Sequence, residues 1–332
     1  MKFITLFFNG FFCLIAAVHL QSQNIDSLKQ MLSQQKDDSL KVKTYLNISK
    51  SSYDNPDSMF IYAQKGLKLS EKIGWKNGIG SSYHYLGLFY SNKRGQSQKD
   101  KVLDSFFKAL ENLEDKKLIV NSYGALTGFY SDEREYNKAL NYANMALSSA
   151  GDNPSLKIYS IINIADVYRH TGQLDKAKEY YLNALNLLNI TDIENKIFLH
   201  LTTLYFLAVN RDNTCLQLQE SYKYITEAKQ LYETSEYDHV ALYSRILAEE
   251  GEIIVEMVKN NCISANTSKK ISLDNAEENL TKSLEIDIAS GDSVQIMNRY
   301  GILYHIKKEK GDYKKALEYA EKYFQDFNSF YS

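Results

Sequence analysis

Proline is almost missing from this chain: Pro56 and Pro154 are the only two in 332 residues. A sequence so poor in helix breakers suits long helices. Long basic runs are also absent, and 39 Lys and Arg stand against 41 Asp and Glu. Nucleic-acid binding draws on neutralised phosphates, so this balance excludes nucleic acid as the main partner. The six histidines, at 19, 84, 170, 200, 239 and 305, lack metal-ligand spacing. No Gly-x-Ser-x-Gly elbow occurs. Gly78-Ile79-Gly80 comes nearest to a phosphate-binding loop, but no strand precedes it, and it reads as a helix opening. The acidic pairs Glu249-Glu250 and Glu277-Glu278 are sequence neighbours that do not share a helix face, and they read as solvated. The chain therefore reads as non-enzymatic, with no cofactor and no metal.

Apolar runs are scarce as well. The longest, Phe3 to Val18, is interrupted by Asn9 and Gly10 and falls short of the ~20 apolar residues that a membrane span needs. Lys2 precedes it and Gln21-Ser22-Gln23 follows, the layout of a secretory signal peptide over residues 1–22, cleaved after Ser22. An uncleaved N-terminal anchor is the alternative. Cys13 lacks the small preceding residue of a lipid-attachment motif. Residues 23–332 are ample for a large core and hold no integral membrane segment. The periplasm or exterior of a bacterial envelope is the expected location.

Tyrosine, by contrast, is plentiful at 26 residues. Periodicity shows how it is used. In TGQLDKAKEYYLNAL (171–185), Leu174, Ala177, Tyr181, Ala184 and Leu185 fall on one helical face that continues to Leu188. Gly172 sits where the preceding helix must stop. The layout recurs at 131–147 and 310–324. Tyr123, Leu126, Thr127, Tyr130, Ala139, Ala143 and Ala146 form a register that Ile161, Ile164, Ala165, Tyr168, Ala177, Tyr181 and Ala184 repeat with identical spacings. Tyr83, Leu86, Gly87 and Tyr90 match its first half; Val102, Phe106 and Ala109 match the second.

This large–large–small–aromatic, then Ala–aromatic–Ala, pattern resembles the tetratricopeptide repeat (TPR) family. The resemblance implies an all-α fold: an α-solenoid of about seven helical hairpins near 38–73, 76–114, 117–150, 155–190, 193–234, 238–290 and 293–331. A short helix around Ile25, Leu28, Met31 and Leu32 precedes them. Stacked hairpins bury one continuous core, and no linker breaks residues 23–332 into further domains. Spacing departs from the family. Equivalent small positions fall at Val102, Ala139, Ala177, Ser221, Ala276 and Ala316, steps of 37, 38, 44, 55 and 40 rather than about 34. Helices are thus longer, with insertions such as 260–272.

The family binds partners on the concave face, lined by the first helix of each hairpin. The resemblance places His84, Leu88, Tyr159, Asn163, Asp166, Arg169, His170, Asn298 and His305 there, with Asp166 and Arg169 exposed, and a protein or peptide as partner. An ordinary polar groove wall is the alternative. The Lys and Asn clamp of chaperone-binding members is missing, since Gly124, Gly128 and Asp166 occupy clamp positions. Two functional classes follow: an exported scaffold, or the periplasmic sensor region that precedes a membrane helix and output domain in some bacterial signalling proteins. Cys215 and Cys262 lie in the inner loops of consecutive hairpins and form a disulfide if their Cα atoms approach within about 7 Å; otherwise they are two free thiols. Last, Ala316, Ala320, Tyr323, Phe327 and Phe330 make one apolar stripe on the C-terminal helix, and Leu317, Phe324 and Tyr331 widen it beyond what one neighbouring hairpin covers. A homodimer, another partner or continuing sequence covers it, unless the helix curls back onto the preceding hairpin.

Overall fold

Both prolines start helices. Pro56 and Pro154 occupy first-turn positions, where no backbone N–H is needed, and Asn55 and Asn153 before them accept from the N–H groups of Ser58 and Leu156. The computed structural model describes residues 25–52, 55–92, 98–263 and 269–331. Segment 1–22, part of the 260–272 insertion and the side chains of Phe327, Phe330 and Tyr331 lie outside the described residues.

Fifteen helices cover the described residues: α1 (Ile25–Gln34), α2 (Ser39–Ser51), α3 (Pro56–Ile73), α4 (Lys76–Asn92), α5 (Lys99–Asn112), α6 (Lys116–Asp132), α7 (Tyr136–Ser149), α8 (Pro154–His170), α9 (Leu174–Ile190), α10 (Lys196–Val209), α11 (Cys215–Thr234), α12 (Val240–Lys259), α13 (Lys269–Ser290), α14 (Ser293–Glu309) and α15 (Tyr313–Tyr331). None of them is long and apolar enough to cross a membrane. Turns between partners are tight. Gly172 (φ +75°) and Gly311 (φ +79°) end α8 and α14 in the left-handed conformation with open space around them, so backbone geometry is what calls for glycine.

The chain divides into two compact units, up to Lys196 and from Ile197 onward. The sequence shows no linker at that point. In unit 1, α2 pairs with α3, α4 with α5, α6 with α7 and α8 with α9, while the first helices α2, α4, α6 and α8 adjoin one another. In unit 2, α12 pairs with α13 and α14 with α15, and α12 adjoins α14.

The register residues are what the pairs bury. Val102, Ala139, Ala177, Ser221, Ala276 and Ala316 are all buried. Large residues face glycine: a methyl at Gly87 would stand 2.8 Å from the Phe106 ring, and one at Gly251 would stand 2.8 Å from Leu280. Phe106 and Leu280 thereby reach full burial, worth about 1.5–3 kcal/mol each.

Candidate functional site

The first helices of unit 1 carry a polar seam within an otherwise apolar core. α4 and α6 meet through His84 Nδ1 and Ser122 Oγ, 2.8 Å apart. Burial pushes the His84 imidazole down to about 4, so it is neutral at physiological pH. α6 and α8 meet at Gly124, whose missing side chain makes room for Tyr159 and Asn163: a Cβ there would lie 2.5 Å from the Tyr159 hydroxyl and 3.1 Å from Asn163 Nδ2.

One helical turn on, Asp166 Oδ1 accepts from Arg169 Nε (2.9 Å) and Nη2 (2.6 Å). His170 Nε2 lies 3.4 Å from Oδ2, and the Tyr181 hydroxyl of α9 reaches Oδ1 at 3.5 Å. Burial opposes ionisation of Asp166, but the Arg169 guanidinium and His170 outweigh it and hold the carboxyl well below the usual range. This charge group ties the two helices of the fourth hairpin together.

The structure therefore corrects the expected exposure of the groove residues. His84, Leu88, Tyr159 and Asn163 are buried between first helices rather than spread over an open wall. Asp166 and Arg169 keep only 17% and 10% of their side-chain surface, because each is the other's partner. Asn298 and His305, on α14 of unit 2, are half-buried; burial, with Lys259 and Lys308 nearby, pushes His305 down to about 4.

Unit 2 holds a second polar cluster that sequence reasoning overlooks. Arg211, just beyond α10, pairs with Glu249 of α12, and its Nη2 stands 3.6 Å from Glu256. Glu252 lies on the same helix face. Burial and the Glu249 charge push its carboxyl up to about 7, against the pull of Arg211. On α14, Arg299 Nε lies 3.0 Å from Asp287 Oδ2 and donates to Ser283 Oγ at 2.7 Å. Ser244 donates to the other oxygen of Asp287 at 2.6 Å. The legible signal is Glu249, Glu252 and Glu256 at helical spacing among Ile246, Leu247, Ile253, Ile254 and Val255: carboxylates on one face of an apolar helix require cations opposite.

The solvated reading of the acidic pairs needs correction at Glu249, Glu250 and Glu277, whereas Glu278 is exposed. Glu249 and Glu250 are buried, because adjacent residues turn toward different helices and each meets its own cation. Glu250 takes Lys229 of α11 at 2.9 Å and Asn279 of α13 at 2.7 Å. Glu277 is paired with Lys307 of α14 and with Lys310 just beyond its end. Cys215 and Cys262 are disulfide-bonded, with Cα atoms 5.1 Å apart. Of the C-terminal stripe, Tyr323 is half-buried and Phe324 exposed.

No protein-family model and no curated protein sequence matches the chain. Solved structures do. A Rap protein complexed with competence and sporulation factor matches with a TM-score of 0.58 at 14% identity, over 87% of this chain and 77% of that one. The apo form of the quorum sensor NprR from B. thuringiensis matches with a TM-score of 0.56 at 16% identity, over 91% and 80%. A signal transduction ATPase with numerous domains and a tetratricopeptide repeat sensor, from Pyrococcus horikoshii, gives 0.53 at 16% identity, over 92% of this chain and 48% of that one. Identities this low speak to the fold alone. Together with the helical pairs and their buried register, they show that this chain has the fold of an α-solenoid of tetratricopeptide type.

Proposed function

We propose that the chain is an exported interaction scaffold that takes a protein or peptide segment along the first-helix seam of unit 1. Asn163 carries the proposal. Its side chain is buried against Gly124, yet Nδ2 bonds to no group among the described residues. A buried donor left unpaired costs about 1–3 kcal/mol, and the backbone carbonyl of an extended segment entering between α6 and α8 would satisfy it. That the Rap structure is a complex with competence and sporulation factor supports the reading by analogy of fold. Segment 1–22 supports export, as does the cysteine pair, because disulfides persist in oxidising compartments.

The test is affinity capture from envelope extract with mass spectrometry, then titration of the captured partner. Asn163→Ala should leave the helical circular dichroism unchanged, since Nδ2 bonds no group among the described residues, and weaken the partner about tenfold, or about 1.4 kcal/mol. Equal affinity of wild type and variant would remove the seam from the binding site.

A second reading, a sensor module, rests on the Pyrococcus horikoshii protein, whose repeats are named as its sensor and of which this chain spans 48%. It predicts coding DNA for an apolar span and an output domain continuing in frame.

A further inference from the structure

α15 has an apolar stripe that its own hairpin leaves uncovered. Tyr313, Leu317 and Phe324 share one side of the helix and are 71%, 61% and 54% exposed. The adjoining side is covered: Ala316 is buried, and the Tyr319 ring stacks 6.0 Å from Tyr300 of α14.

The repeat shows what the uncovered side is for. In the register that aligns Ala316 with Ala139 and Ala276, Tyr313 and Leu317 fall on Tyr136 and Leu140 of α7, and on Leu273 and Glu277 of α13. α7 is followed by α8, and α13 by α14, each packed against its predecessor. Tyr136 and Leu140 are half-buried there and Leu273 is buried. Glu277, at the Leu317 position, is paired with Lys307 of α14 and with Lys310 just beyond its end. The stripe is thus a helix-docking face by construction.

We infer that a second copy of this chain docks its own α15 on this face, antiparallel, about a two-fold axis near Glu318. Charge selects this occupant and direction. Lys314 and Glu321 flank the stripe on the same side, two turns apart; both are exposed, and neither makes an ion pair among the described residues. Antiparallel self-pairing sets Lys314 of each copy beside Glu321 of the other, Tyr313 opposite Phe324, and Leu317 against the small Ala320. Parallel pairing would set like charges side by side. The contact is isologous, as closed dimers require. It rests on three large side chains, less than the ~800 Å² per partner of a standard interface, so the dimer is weak.

Sedimentation velocity of the purified protein from about 1 to 100 µM tests this, a range suited to interfaces below standard size. A concentration-dependent monomer–dimer shift is expected. Leu317→Glu should weaken it at least tenfold with unchanged circular dichroism, since Leu317 is exposed. Lys314→Glu alone should also weaken it, and adding Glu321→Lys should restore it. A monomer throughout the range overturns the inference. So does a dimer indifferent to Leu317→Glu, which would use another surface, or a charge reversal that the second change fails to rescue.

Discussion

Breaking the Cys215–Cys262 bond should weaken unit 2 and spare unit 1. The bond joins residues 47 apart in sequence. Closing a loop of that length in the unfolded chain removes about 13–14 cal/mol/K of entropy, or about 4 kcal/mol of stability at 25 °C. Cys215 is exposed at the start of α11, whereas Cys262 is buried. Cys215→Ser therefore deletes the bond with little loss of packing. With a urea slope of about 1.5 kcal/mol/M, the midpoint of unit 2 should fall by about 2–3 M. Urea titration followed by circular dichroism, with and without reductant, reads the shift. Trp75, the chain's single tryptophan, lies in unit 1, so its fluorescence reports that unit separately and should hold its midpoint. Two results would refute the reasoning. One is a wild-type midpoint that reductant leaves in place; the other is a Cys215→Ser protein that still responds to reductant.

Glu252 should make unit 2 sensitive to pH. Its folded pKa, about 7, lies above the ordinary 4.5, so its stabilisation is present below pH 4.5 and is lost as pH rises through 7, on the order of 3 kcal/mol. Glu252→Gln should flatten the dependence of the unit 2 midpoint between pH 5 and 8, and parallel curves for the two proteins would discount Glu252. Gly124→Ala drives a methyl to 2.5 Å from the Tyr159 hydroxyl and should destabilise unit 1 by about 1–3 kcal/mol. Tyr159→Phe in the same chain should recover part of that loss in thermal unfolding; no recovery would mean the hydroxyl is not the obstacle.

Much of the fold is legible in the sequence because its signals are local. Ala139, Ala143 and Ala146 recur as Ala177, Tyr181 and Ala184, and all six are fully buried. Gly172 and Gly311 mark turns, and the two prolines begin helices. The candidate site is less legible because its partners are distant. Helical spacing puts Tyr159 and Asn163 on one face of α8, but only the glycine at 124, some 35 residues earlier, shows that the face is filled by packing against α6. The same holds for Glu249 and Glu250. Local pattern gives two adjacent carboxylates; Arg211 and Lys229, 38 and 21 residues away, are what allow them inside.

The exchange of volume between Gly87 and Phe106, and between Gly251 and Leu280, bears on how such an array can be rebuilt. Phe106, Ala143, Tyr181 and Leu280 occupy one register position, yet they range from a methyl to a phenol. Each second helix is thus cut to its own first helix. A hairpin moved or duplicated as a pair of helices carries its complement with it. A second helix grafted alone, such as α5 in place of α7, would press Phe106 toward Thr127, the counterpart of Gly87 in that hairpin. The unit of modularity in this chain is the hairpin, and recombination breakpoints that respect it fall between α5 and α6 rather than between α4 and α5.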